Sequence, residues 1–125
     1  MFRKIRTWIL AAVASISLFF GWQYLSAAAG LAWVAPTTNT DGSPLTDLDS
    51  YRVYRRPSAT TGAYVQIAQV AAPATTYTDN STVEGVNCYV VTAVDTAGNV
   101  SDFSNQACKT IDTLRPNAPS GLTVN

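Results

Sequence analysis

Residues 87–110, NCYVVTAVDTAGNVSDFSNQACKT, decide how the rest of the chain is read. From Cys88 to Asp95 the run is rich in Val, Thr and Tyr, the residues that suit a pleated, half-buried surface. Asp95-Thr96-Ala97-Gly98-Asn99 is turn chemistry, and a second arm returns through Phe103 to Cys108. The pattern predicts a β-hairpin. With Gly98 at its apex, Cys88 lies opposite Cys108, both sulfurs share one face, and Tyr89, Val91, Ala93, Phe103 and Ala107 share the other. Asn105 would then point inward, so a bulge or bend is expected early in the second arm.

Upstream, the first thirty residues stand apart from the rest of the 125. Arg3, Lys4 and Arg6 form a basic head, residues 8–20 are apolar, and Ser26-Ala27-Ala28-Ala29 offers the small residues that signal peptidase needs. Residues 1–29 therefore read as a helical signal peptide. The alternative is an uncleaved membrane anchor. The apolar run is shorter than the ~20 residues of a bilayer crossing, but continuing it through Gly21-Trp22-Gln23-Tyr24-Leu25 nearly reaches that length.

Export explains the cysteines. The chain has two and no histidine, which cannot complete an ordinary zinc site, whereas a pair in an oxidising compartment is normally bonded. A Cys88–Cys108 bond would close a loop of about twenty residues and stabilise by ~3 kcal/mol in the chain-entropy picture. Two buried free thiols are the other reading of the pair. Formal charge is zero over the whole chain, with eight basic and eight acidic residues, but losing Arg3, Lys4 and Arg6 leaves a net of −3. Such a chain offers no cationic surface to nucleic acid.

Between these landmarks lie short alternating runs. Leu31-Ala32-Trp33-Val34-Ala35-Pro36 places Leu31 and Trp33 on one face and stops at a proline that cannot donate to a ladder. Residues 37–49 are loop-like and contain Asp41-Gly42. Residues 50–56 form a second strand with Tyr51 and Val53 inward and Arg52, Tyr54 and Arg56 outward; residues 63–70 and 74–79 give a third and fourth. With no helical period after the N-terminal segment, the expectation is an all-β sandwich.

LAWVAPTTNTDGSPLTDLDSYRVYRR, then TYTD, then GVNCYVVTAVDTAGNVSDFSN resembles a bacterial-type fibronectin type III domain. Trp33 matches the family's core tryptophan, Tyr51 and Val53 its third-strand pair, and Tyr89, Val91 and Ala93 its sixth strand. The resemblance covers residues 31 to about 111 and implies an immunoglobulin-like sandwich spanning residues 30–111. There are two departures. Asn87 stands where the family keeps a tyrosine whose hydroxyl bonds back to the preceding loop, which implies a weaker loop there. The family's first strand has no counterpart before Leu31, so an edge of the first strand here should lack a neighbour. Residues 112–125, with Pro116, Pro119, Leu122 and Val124, resemble the linker and opening strand of a following module.

That tail carries three readings: part of a tandem array whose next module is elsewhere, a strand folding back onto its own vacant edge, or a strand donated to a second copy with Leu122 and Val124 filling the space near Trp33. Folding back requires a return of about 20–27 Å, and nine extended residues reach about 28 Å.

No catalytic, cofactor or metal constellation emerges. Asp41, Asp47 and Asp49 match no calcium loop and suit turns, and the sequons at Asn80 and Asn99 matter only in a glycosylating host. The expected contact surface is Arg52, Tyr54 and Arg56 with Val90 and Thr92 beside them, because Arg and Tyr are enriched at interface cores. An ordinary sandwich face is the plainer account of the same residues. The resemblance implies a non-enzymatic adhesive, spacer or protein-binding unit, secreted or in the periplasm or cell envelope, with a protein or extracellular glycan partner. The alternatives are a membrane-anchored subunit or one that assembles head to tail.

Overall fold

The computed structural model describes residues 27–125. Six strands build two antiparallel sheets: β1 (Ala29–Ala32), β2 (Leu48–Arg56), β3 (Val65–Ala71), β4 (Thr76–Asp79), β5 (Gly85–Asp95) and β6 (Ala107–Ile111). One sheet pairs β1 with β4; the other runs β3-β2-β5-β6. No helix among the described residues is long and apolar enough to cross a membrane. The signal-peptide expectation falls on residues 1–29, of which 1–26 lie outside the described residues.

Alternation along the strands makes the core. Ala29 of β1, Val53 of β2 and Tyr89 of β5 are buried at its centre, with Leu31, Trp33, Ile67, Val70, Tyr77 and Val91 packed around them. Residues from both sheets meet there, which is what makes the fold a sandwich. Trp33 meets Tyr51 edge-on, with ring centroids 5.2 Å apart and planes at 63°.

The first strand differs from its expected span. β1 is Ala29–Ala32 rather than a run ending at Pro36, and past it Trp33 N donates to Thr75 O at 3.0 Å. Ala28 and Ala29, assigned by sequence to the signal peptide, are buried, and Ala29 pairs with Asp79 in the ladder. Among the described residues β1 pairs with β4 alone.

The last strand also moves, from residues 103–108 to Ala107–Ile111. The reason lies in residues 101–104, where serine hydroxyls take bonds that a regular strand would make with its carbonyls. Ala93 N donates to Ser101 Oγ (2.8 Å) and Val91 N to Ser104 Oγ (2.9 Å), while Ser101 N and Ser104 N donate to the carbonyls of Ala93 and Val91. Alternation cannot be counted through such a stretch. Phe103 accordingly stands on the face opposite Tyr89, 53% exposed, against Tyr54 and Tyr64. Residues 101–106, where a bulge or bend is expected, belong to no strand, and the turn forms as expected, with Gly98 at φ +87° and its N–H donating to Asp95 O.

Beyond Ile111 the chain is exposed and belongs to no strand. Leu122 and Val124 are 94% and 92% exposed, so the tail does not fold back onto β1. It leaves from the pole where β1 begins: Ile111 pairs with Gly85, Thr113 N donates to the carboxylate of the adjacent Glu84, and nearby Thr82 donates its hydroxyl to the carbonyl of Ala27.

Candidate binding surface and the buried Asp79 cluster

Register within β2 and β5 fixes the proposed contact face. Arg52 pairs with Thr92, Tyr54 with Val90 and Arg56 with Cys88, so all six share one side of the four-stranded sheet. The structure brings them together, though not as an open surface. Val90 and Thr92 are each only 3% exposed and cannot themselves meet a partner. Their burial corrects the expectation for those two residues. Tyr54, Phe103 and Tyr64 form a row of edge-on rings over this side, with centroids 5.2 and 5.4 Å apart.

Arg56 is committed within the chain. Its Nε donates to Ser58 O (2.8 Å), Nη1 to Gly62 O (3.2 Å), and Nη2 to Ala59 O (2.7 Å) and Gln106 Oε1 (2.8 Å), while the guanidinium lies 4.4 Å from the centre of the Tyr64 ring. A planar fork with four of its five N–H donors engaged holds the β2–β3 loop and the approach to β6 in place. What remains for a partner is the half-buried Arg52 and Tyr54 with Phe103.

Around the edge of β5, Trp33, Tyr51, Thr92 and Phe103 line a largely apolar groove of about 200 Å³. Of these, Trp33 Nε1, Tyr51 OH and Thr92 Oγ1 are buried without a hydrogen-bond partner among the described residues.

The two cysteines are opposite one another in the ladder and bonded, with Cα atoms 4.1 Å apart. This closes β5 to β6 one pair past Tyr89–Ala107, the end of their ladder nearest the serine-bridged stretch. Asp41, read as a turn former, accepts from Ser43 N (2.9 Å) and Ser43 Oγ (2.6 Å), and these bonds lower its pKa.

Two polar features of this chain were not read from its sequence. Asp79, at the end of β4, is fully buried. Its Oδ2 accepts from Arg55 Nη1 and from Tyr89 OH, both at 2.8 Å, and its Oδ1 accepts from Ser81 N (2.9 Å) and Ser81 Oγ (2.7 Å). Burial opposes ionisation, but the bonds from Ser81, Tyr89 and Arg55 outweigh it and hold the carboxyl below its ordinary pKa. Burial and then the neighbouring Asp79 push the Tyr89 hydroxyl well above its usual value. A carboxylate shut away with every oxygen engaged ties β2, β4 and β5 together and reaches no solute. Tyr89 reads as plain core from its alternation, and only its hydroxyl, meeting Asp79 from another sheet, gives it a second role.

The second is Asn87. Its buried amide oxygen accepts from Val83 N (2.9 Å), and its Nδ2 donates to Val83 O (2.7 Å) and Gly85 O (3.1 Å). The expected weak loop is therefore absent: the amide binds the loop backbone in place of the tyrosine hydroxyl.

No protein-family model matches the chain. No curated protein matches it either. Solved structures do. An Fn3-like protein from Clostridium thermocellum superposes with a TM-score of 0.53 at 28% identity, over 72% of this chain and 82% of that one. A β-1,2-glucanase from Parabacteroides distasonis matches with a TM-score of 0.53 at 27% identity, over 72% of this chain. A pectate lyase from Pectobacterium carotovorum shares the fold, with a TM-score of 0.54 at 23% identity over 71% of this chain. The matched parts are 12% of the glucanase and 25% of the lyase chain. With the strand order and core described above, these likenesses make the described residues a fibronectin type III-like domain.

Proposed function

We propose that this chain is an exported, non-catalytic fibronectin type III-like module that serves as an adhesive, spacer or protein-binding unit at the cell envelope or outside the cell. The observation that carries the reading is the cross-strand Cys88–Cys108 bond, because such bonds persist in oxidising compartments and are rare in the cytosol. The likeness to small parts of two much longer chains named as polysaccharide-cleaving enzymes supports an accessory role. The surface offered to a protein or extracellular glycan is Arg52, Tyr54 and Phe103. Thiol labelling of the expressed full chain tests the compartment. Cys88 and Cys108 should resist alkylation until reduced, whereas labelling without reduction, in a cytosolic fraction, overturns export.

A second reading, strand donation between copies, is favoured by the exposure of Leu122 and Val124 together with a β1 that has one ladder neighbour among the described residues. Main-chain bonds along β1 would give affinity, and the groove beside Trp33 would take the donated side chains. Light scattering over a concentration series tests it. Growth in mass that disappears on deleting residues 115–125 supports donation, and a monomer at high concentration rejects it.

A further inference from the structure

We propose that the N-terminal segment is not removed, and that it holds the sandwich directly against a lipid bilayer. This builds on the exported-module reading and states how the module is retained. Signal peptidase requires small residues one and three positions before the cut. At this boundary Ser26 with Ala28, Ala27 with Ala29, and Ala28 with Gly30 are the pairs that satisfy it, giving cuts after Ala28, Ala29 or Gly30. The folded domain uses these same residues.

A cut after Ala29 or Gly30 removes a core residue that is 2% exposed and pairs with Asp79. It also removes the carbonyl of Ala28, which accepts from Lys109 Nζ at 2.7 Å, and that of Ala27, which accepts from the Thr82 hydroxyl. Through them the segment is strapped to β6 and to the loop before β5. A cut after Ala28 places a new ammonium on the buried Ala29. Its ladder partner Asp79 has both oxygens occupied by Arg55, Tyr89 and Ser81, so the new charge would have to displace one of them to be hydrogen-bonded there. Each of these cuts works against the fold it would release.

The preceding sequence suits retention. Residues 7–26 are twenty consecutive uncharged residues, and at 1.5 Å per residue they reach about 30 Å, the thickness of the hydrocarbon layer. Arg3, Lys4 and Arg6 flank one end, and Trp22 and Tyr24 lie just inside the other. Basic residues favour the cytoplasmic side and interfacial aromatics mark a boundary, which puts the disulfide-bearing domain outside the membrane. Ala27 is already bonded to the sandwich, so no linker intervenes, and the pole carrying Thr82, Glu84 and Lys109 faces the lipid surface.

The test expresses the full chain in a bacterium, washes the membranes with carbonate, and measures intact mass and thiol accessibility. The expected species starts at Met1, stays in the washed membranes, and is alkylated at Cys88 and Cys108 only after reduction. A soluble exported chain starting at Ala29, Gly30 or Leu31 with its disulfide intact overturns the anchor and leaves the exported module standing. A full-length chain alkylated without reduction overturns both. The double variant Ser26→Phe, Ala27→Phe blocks the cuts after Ala28 and Ala29; its starting residue and its fraction should match those of the unaltered chain, and a shift from soluble to membrane fraction overturns the proposal.

Discussion

Two buried polar side chains carry specific costs if altered. Asn87 satisfies one amide N–H and two carbonyls of the loop before β5, so Asn87→Ala strands all three. Leaving buried groups unpaired costs about 1–3 kcal/mol each before relaxation, and partial access of water should hold the observed loss to about 2–3 kcal/mol. Denaturant unfolding measures it, and no loss would show the amide to be incidental. Asp79 sets a pH dependence. Its folded pKa is lowered, so the unfolded chain binds its proton more readily, and the contribution of Asp79 is present above the unfolded value, ~3.9, and is lost as pH falls through the lower folded value. The thermal midpoint should therefore drop with acidification below about pH 4. Exposed Asp41, Asp95 and Glu84 are lowered the same way by their own hydrogen bonds, so a reduced acid slope in Asp79→Asn identifies its share.

Among the elements, the hairpin of β5 and β6 is closed by two unlike devices. Near the turn, Ser101 and Ser104 hydroxyls serve the amides of Ala93 and Val91; farther along, where the regular ladder begins, Cys88 bonds to Cys108. The pair Ser101→Ala, Ser104→Ala should cost about 1–2 kcal/mol together, because the freed amides lie at an edge that water can reach. Reduction of the disulfide should cost ~3 kcal/mol, the loop-entropy figure for about twenty residues. Both are read from unfolding midpoints, and equal midpoints for oxidised and reduced protein would contradict the second. Arg56 behaves as a splint for the β2–β3 loop, since four acceptors and a ring surround one guanidinium. Arg56→Lys keeps the charge but loses the fork, so faster amide exchange in residues 57–63 is expected. Unchanged exchange would make Arg56 an ordinary surface residue.

For the whole molecule, the tail and the N-terminal segment leave the sandwich at one pole. Deleting residues 115–125 should leave the thermal midpoint of the isolated module unchanged, because Leu122 and Val124 touch nothing that the fold requires. A lowered midpoint would mean that the tail docks after all. The division of labour between sequence and fold is visible in particular residues. Alternation over Tyr51 and Val53 and over Tyr89 and Val91 announced inward faces, and a pair of cysteines spaced evenly about Gly98 announced its own register. Period and turn chemistry are local properties, so the all-β class and the cysteine pairing could be read from the chain alone. The face taken by Phe103, the burial of Val90 and Thr92, the closure of Asp79 by Arg55 and Tyr89, and the use of Ala27, Ala28 and Ala29 within the domain were decided only in three dimensions. Each depends on groups far apart in sequence meeting across strands or sheets, and no local pattern encodes which carbonyl a lysine fifty or more residues away will reach.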